Sequence, residues 1–214
     1  NTTGCYNTAS GYGSLNQNTT GSSNTASGYQ SLKNNTSGIE NTASGSYSLY
    51  ENTTGSSNTA SGYQSLQENT TGIENTASGV QSLYSNTTGS SNNASGSYSL
   101  RNNTTGSSNN ASGSYSLYAN TTGNNNTSVG YQAGIVITTG NDNTIIGDGA
   151  DPSVAAAVNQ IVIGKGATGL GDNSVTLGNS AVTDVYMAQD KGAVVHAGGF
   201  TMYSSVGSSV YTLP

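Results

Sequence analysis

The chain has 214 residues, of which only 31% are hydrophobic and 7% charged, with 30 glycines, no tryptophan and a net charge of −6. Its four basic residues cannot neutralise a run of phosphates, which argues against a nucleic-acid partner. No apolar run is long enough for membrane insertion. Composition alone would favour disorder, because so few apolar residues offset little of the entropy lost on folding.

A seventeen-residue phrase overrides that composition-level expectation. A fixed short period is typical of stacked structural units, in which each coil pairs its backbone with the coils on either side. The phrase restarts without insertion or deletion at Asn1, Asn18, Asn35, Asn52, Asn69, Asn86, Asn103 and Asn120.

Each unit predicts two short strands, N-T-A-S and S-L-x-x-N, with a turn after each and the N-T-T-G stretch at a turn. Seventeen residues fit a flattened roll, although a three-sided coil of about eighteen residues remains an alternative. The sequence therefore predicts an all-β fold, a parallel β-solenoid or β-roll. Its core is expected to hold the recurring alanine and seven leucines: Leu15, Leu32, Leu49, Leu66, Leu83, Leu100 and Leu117.

Composition divides the chain into three parts. The repeat array covers residues 1–134, degenerate coils cover 135–181, and residues 182–214 form C-terminal strands and a cap or connector. Degenerate coils begin at Asn143, Asn159 and Asn173, with residues 148–158 predicted as an inserted loop. Alternating apolar residues in the last two coils indicate the buried face of a strand: Ile161 and Ile163, then Val175 and Leu177.

The C-terminal part predicts two strands, at residues 184–187 and 193–196. Residues 200–214 are apolar enough to cover an open sheet edge, which would otherwise pair with another chain.

Residues with catalytic or metal-binding chemistry are scarce. His196 is the only histidine and Cys5 the only cysteine, so neither a nucleophile–base set nor a histidine metal site can be assembled in one chain. Three carboxylates, Asp142, Asp148 and Asp151, cluster near the predicted loop, where a solvated loop is the simpler interpretation than a calcium site. The sequence predicts no enzyme, no metal and no cofactor.

Asparagine supplies the sharpest chemical signal. The first residue of every unit, from Asn1 to Asn120, begins an N-T-T or N-T-S sequon and is a formal glycosylation acceptor. Further sequons start at Asn34, Asn93, Asn102, Asn110, Asn125 and Asn126. Because stacked coils lie about 4.8 Å apart, the equivalent asparagines could instead form a hydrogen-bonded ladder.

Tyrosines recur in shared slots and predict an aromatic surface. Such a surface packs against another subunit or presents rings to a sugar. The tyrosines in question are Tyr12, Tyr29 and Tyr63 in one slot, and Tyr47, Tyr98 and Tyr115 in the next.

Two phrases, N-Q-I-V-I-G at residues 159–164 and N-S-V-T-L-G at 173–178, resemble the head repeats of YadA-type trimeric autotransporter adhesins. N-T-A-S-G-Y-Q-S-L, N-T-S-V-G-Y-Q-A-G and S-V-T-L-G-N-S-A-V-T-D-V look like bacteriophage tail-fibre shaft repeats, and together the resemblance covers roughly residues 1–187. Membership would imply a left-handed parallel β-roll, assembled as a homotrimer on a cell or virion surface, with a binding role.

The sequence thus predicts a structural extracellular fibre protein, a rigid shaft or head of a tail fibre or surface adhesin, with copies of itself as partners. One alternative is a subunit of an end-to-end helical fibril, glycosylated on its asparagines. Another is a carbohydrate-binding module that recognises a cell-surface glycan.

Overall fold

The computed structural model describes residues 1–185, and in this part the chain winds into stacked coils that share one parallel sheet. The predicted all-β parallel solenoid with a 17-residue repeat is confirmed, and no helix able to span a membrane occurs among these residues. Each coil contributes one short strand, and the strands pair in chain order: β1 Thr8–Ser10, β2 Thr25–Ser27, β3 Thr42–Ser44, β4 Thr59–Ser61, β5 Thr76–Ser78, β6 Asn93–Ser95, β7 Asn110–Ser112, β8 Thr127–Val129, β9 Thr144–Ile146, β10 Gln160–Ile163 and β11 Ser174–Leu177.

The sequence period fixes the register of the sheet. Ala43 pairs with Ala60 and Ala60 with Ala77, so equivalent residues lie one coil apart, at a strand spacing of about 4.8 Å. The Thr-Ala-Ser strand points its alanine inward and its two hydroxyl residues outward. A glycine follows each of these strands. At Gly62, φ is 139° and a Cβ would lie 2.5 Å from the Gly79 carbonyl oxygen, so no side chain fits.

The prediction of a second strand at S-L-x-x-N is wrong, because this segment folds as consecutive turns in every coil of the array. Gln64 and Leu66 have φ values of 57° and 49°, in the left-handed region, whereas a strand needs extended residues. The turn still joins the coils, since the Leu66 amide donates to the Ser82 carbonyl at 3.0 Å.

The core is a thin double column that runs along the solenoid. The seven leucines lie inside, six of them with no exposed surface and Leu15 with 8%. They pack in one cluster with the strand alanines: Ala26, Ala43, Ala60, Ala77, Ala94 and Ala111. Ala9, in the first coil, is exposed. The interior is therefore only two apolar side chains wide.

One coil carries different residues at two of its inward positions. Gly134 stands in the leucine slot, keeping the left-handed backbone with φ 64°. Seventeen residues after Asn120, Ile137 stands in the asparagine slot and is fully buried. A Cβ on Gly134 would lie 3.4 Å from the Ile137 Cδ1, so the isoleucine fills the space that leucine vacates.

The prediction of an inserted loop at residues 148–158 is wrong, because that stretch is an ordinary coil. Ile146 pairs with Ile163, seventeen residues later, and both Ala150 and Ala157 are buried. The period changes one coil further on. Ile163 pairs with Leu177, only fourteen residues away, so the last described coil is three residues shorter.

The faces of the C-terminal strands were also predicted wrongly. Ile161, Ile163, Val175 and Leu177 point outward and are 36–62% exposed, whereas Ile145 and Val162 are fully buried. The apolar alternation correctly predicted a strand. The residues that face the core, however, are those that pair in line with the buried alanines of the array. Two apolar columns therefore lie on the outer surface.

By its contacts the chain divides into one compact unit, Asn1–Val182, and a second unit, Thr183–Pro214. Sheet pairing is continuous from β8 to β9, across the predicted boundary at residue 134. The predicted strand at 193–196, the second half of that at 184–187, the segment 200–214 and His196 lie outside the described residues.

Candidate functional surfaces and the internal asparagine ladders

The asparagines that open each unit form a continuous internal ladder. From Asn18 to Asn120, each Nδ2 donates to the Oδ1 of the asparagine one coil earlier, at 2.7–3.1 Å. The same Nδ2 donates to a glycine carbonyl three residues later, at 2.9–3.1 Å. Asn1, at the exposed end, accepts from Asn18.

Burial decides what this ladder can do chemically. Asn18 to Asn120 are at most 1% exposed, and both amide protons of each side chain are engaged. Glycan transfer to Nδ2 would need that nitrogen free and reachable, so these sequons are closed in the folded coil. Among the further sequons, Asn93, Asn110 and Asn125 are exposed, Asn34 and Asn102 are half-buried, and Asn126 is buried.

A second buried ladder was missed in the sequence analysis. It runs from Asn7 to Asn143, with the Nδ2 of each residue donating to the preceding Oδ1 at 3.0–3.2 Å. The backbone amide donates to the same oxygen, as Asn92 does to Asn75 at 3.0 Å. The signal was available, because this asparagine recurs in nine successive units without one substitution.

Glycine carbonyls tie the two ladders together. The Gly38 carbonyl accepts from Asn24 Nδ2 at 2.8 Å and from Asn35 Nδ2 at 3.0 Å. A Cβ on this glycine would lie 2.3 Å from the Gly55 oxygen and 2.5 Å from the Asn35 Oδ1. The N-T-T-G corner is thus a polar second core, which stabilises a chain with few apolar residues.

The first ladder ends at Asn120, where the next residue in the column is apolar. Ile137 follows Asn120 in the column, and the buried Asn120 Oδ1 has no hydrogen-bond partner. The second ladder continues past this coil to Asn143, whose Oδ1 accepts from the Gln160 backbone amide at 3.0 Å. In this coil the buried Ile137 therefore replaces the asparagine of one polar column.

Tyrosines form two surface clusters along the turn side of the coil. In the first, Tyr12 stacks on Tyr29 with centroids 5.6 Å apart, and Tyr47 meets Tyr29 and Tyr63 edge-on at 5.3 and 6.4 Å. In the second, Tyr98 stacks on Tyr115 at 4.9 Å, and Tyr115 meets Tyr131 edge-on at 6.3 Å. The structure thus brings the six predicted tyrosines together in two groups rather than one stripe.

Cations and amides are interleaved with these rings. Lys33 lies 5.1 Å from the Tyr50 ring centroid, and Arg101 lies 5.1 Å from that of Tyr84. Gln81 bridges the gap between the clusters by donating to Gln64 and accepting from Arg101. Tyr29, Tyr63 and Tyr131 remain 43–49% exposed, so each cluster offers aromatic surface to solvent.

The outward residues of the sheet change from polar to apolar along the rod. From β2 to β7 its outward residues are threonine, asparagine and serine, all exposed. From β8 to β11 six outward residues are apolar, and we call them the apolar face: Val129, Ile146, Ile161, Ile163, Val175 and Leu177. No outward strand position in the described sheet carries a charge.

In the described coils, only one carboxylate has a strongly shifted pKa. Asp151 is half-buried in the slot that leucine fills in the array, and burial raises its pKa to about 6. The Val136 backbone amide donates to it at 3.2 Å and partly offsets that effect. Residues 1–185 contain no group of three or more histidine, cysteine or acidic side chains arranged to hold a metal ion.

Comparisons with protein-family models, curated proteins and solved structures returned no match for this chain.

Proposed function

We propose that the chain is the rigid shaft or head of an extracellular structural fibre, of the kind found in phage tail fibres and bacterial surface adhesins, and that it works as a homo-oligomer. The observation that carries this proposal is the unbroken register of the described coils. Two buried amide ladders and a leucine column run in the same direction as the rod axis. A structure reinforced in this way holds two points at a fixed distance, which is what a spacer or stalk requires.

The dimensions of the rod suit this role. Eleven strands at about 4.8 Å each give a length of roughly 50 Å. The resemblance of N-S-V-T-L-G and related phrases to adhesin heads and fibre shafts supports a cell-surface or virion location.

Imaging and labelling test the proposal together. Cryo-electron microscopy of the purified chain is expected to show straight rods about 50 Å long in closed oligomers. Open filaments of many rods would instead support the end-to-end fibril. Immunogold labelling of intact producing cells or particles is expected on their surface, and label confined to the cell interior would contradict the extracellular role.

Carbohydrate binding is a second candidate, favoured by the exposed rings of Tyr29 and Tyr63, with Gln64 following Tyr63 in the chain. Tyrosine faces and amides are a common combination in sugar sites. A glycan array is expected to show binding that Tyr29→Ala with Tyr63→Ala removes. The control is Thr42→Ala with Thr59→Ala, on the sheet face, which should leave the binding unchanged.

A further inference from the structure

The apolar face is unusual in this chain, because the outward residues of the preceding strands are polar. Its six side chains are 36–62% exposed. Four of them form one column on β8 to β11, and Ile161 and Val175 lie beside it on β10 and β11, where β8 and β9 carry threonine. Together they present on the order of several hundred Å² of apolar surface, comparable to the largest apolar patch of a typical monomer, which is often a functional surface. In the same columns of β2 to β7, every residue is hydroxylic or an amide.

The spacing of the columns points to a second copy of this chain as the occupant. The outward side chains repeat at the strand spacing of about 4.8 Å, and only a partner with the same repeat meets all four coils equally. Another copy has that repeat by construction. The face also carries no charge, so the net charge of −6 sits elsewhere and does not oppose close approach.

The outward residues change from polar to apolar at β8, and this change sets where the contact between two copies ends. Val129 is the first apolar outward residue, and Ser112, one coil earlier in the same column, is polar and exposed. Burying the Thr and Ser columns of β2 to β7 would remove water from hydroxyls that make no hydrogen bond within the sheet. Those coils are therefore more stable in contact with water than in contact with another copy.

We propose, as a refinement of the proposed fibre function, that copies associate through the apolar face of β8–β11 only. The seven coils before β8 stay apart, as separate polar arms that extend from a joined stalk. The oligomer then has one short apolar seam, and the first tyrosine cluster, which lies on the arms, remains free for a ligand.

Sedimentation of paired variants of the full chain tests the seam. Ile146→Thr with Ile163→Thr gives these coils the polar surface of the array and is expected to raise the dissociation constant of the oligomer at least tenfold. The matched control is Val136→Thr, which removes a 40% exposed apolar side chain from another face of the same region and should leave association unchanged. A wild-type chain that sediments as a 21.4 kDa monomer overturns the proposal and leaves residues 186–214 as the occupant to test.

Cysteine labelling locates the end of the seam without disturbing the fold. In a Cys5→Ser background, Ile163→Cys and Ser61→Cys place a thiol in the same outward column, on β10 and β4. In the oligomer, maleimide is expected to label the first thiol at least tenfold more slowly than the second. Equal rates would overturn the proposal, whether both thiols are protected or both are open. Rod length by electron microscopy is independent of either result, so the fibre role can survive the loss of this seam.

Discussion

At the scale of single residues, the coil depends on backbone conformations that most side chains avoid. In six of the eight array coils three non-glycine residues lie in the left-handed region, at Ser57, Gln64 and Leu66 for example. Each costs about 1–2 kcal/mol relative to ordinary backbone. The burial of leucine and the hydrogen bonds between coils must offset that cost in every repeat.

Two glycines with positive φ allow the stability cost of the left-handed backbone to be measured apart from the cost of a steric clash. Gly62→Ala is expected to destabilise the rod by several kcal/mol, because its Cβ would lie 2.5 Å from the Gly79 carbonyl oxygen in the next coil. Gly149→Ala should cost only about 1–2 kcal/mol, since φ is 61° and nothing lies within 4 Å. Thermal unfolding followed by circular dichroism measures both, and similar losses would show that the close approach is unimportant.

Asp151 predicts an unusual pH dependence. Its folded pKa of about 6 lies above the ordinary 3.8, so folding favours the protonated form. Its contribution to stability is complete below pH 3.8, falls as the pH rises to about 6, and is lost above that. Asp151→Asn is therefore expected to reduce the loss of stability over this range.

The control for Asp151 is Asp148→Asn, which removes the same charge from an exposed position of the same coil. Urea unfolding midpoints at pH 4, 5, 6 and 7 compare the three proteins. If the two variants change the pH slope equally, general repulsion in this acidic chain is the cause, and burial of Asp151 is not.

At the scale of elements, the asparagine ladders replace much of the apolar core that the composition lacks. Each side chain satisfies groups in its own coil and in a neighbouring one, so loss of one asparagine leaves buried partners in both. Buried groups without a partner cost more than the hydrogen bond itself contributed.

Two adjacent asparagines provide a matched pair. Asn92→Ala would leave the Gly106 carbonyl and the Asn109 backbone amide without this partner, at a cost of roughly 2–6 kcal/mol. Asn93→Ala changes the same residue type at an exposed outward position and should stay within about 0.5 kcal/mol. Equal effects in chemical denaturation would argue against the ladder as a stabilising element.

The sequence predicted the repeat, the parallel register and the inward columns because all three depend only on periodicity. Periodicity cannot tell a strand from a turn that recurs as regularly, which is why S-L-x-x-N was misassigned. The apolar face was misread for a related reason. Ile161 and Val162 are equally apolar, and only the register passed on from Ala111 through Ile145 decides which of them points inward.

The functional surfaces were less accessible to sequence reasoning. Burial of the sequons depends on how the N-T-T-G corner folds around the glycine carbonyls, which no local pattern states. The tyrosines share slots in the repeat, but their division into two clusters follows from Val80 and Gln81, which interrupt both slots in one coil.

At the scale of the whole molecule, stability is close to a sum of equal coils and the contacts between neighbours. Deleting residues 52–68 removes one full coil and joins two ends that are in phase. The rod is expected to keep its fold and to shorten by about 4.8 Å. Cryo-electron microscopy and circular dichroism measure the two effects.

The contrasting variant deletes residues 52–60, about half a coil. It places each asparagine and leucine opposite the wrong partner, so a large loss of ordered structure is expected near the junction. A half-coil deletion as stable as the full-coil one would show that the seventeen-residue register is not what holds the stack together.

The same short period has a consequence for how the rod responds to force. A coil that takes up about 5 Å of rod contains seventeen residues, which reach about 60 Å when pulled straight. Tension applied along the axis would peel coils from an end one at a time, each releasing more than ten times its own height. Because neighbouring coils are held by nearly identical bonds, the steps would yield at similar loads. A stalk of this kind is stiff under small forces and becomes a long, energy-absorbing tether under large ones.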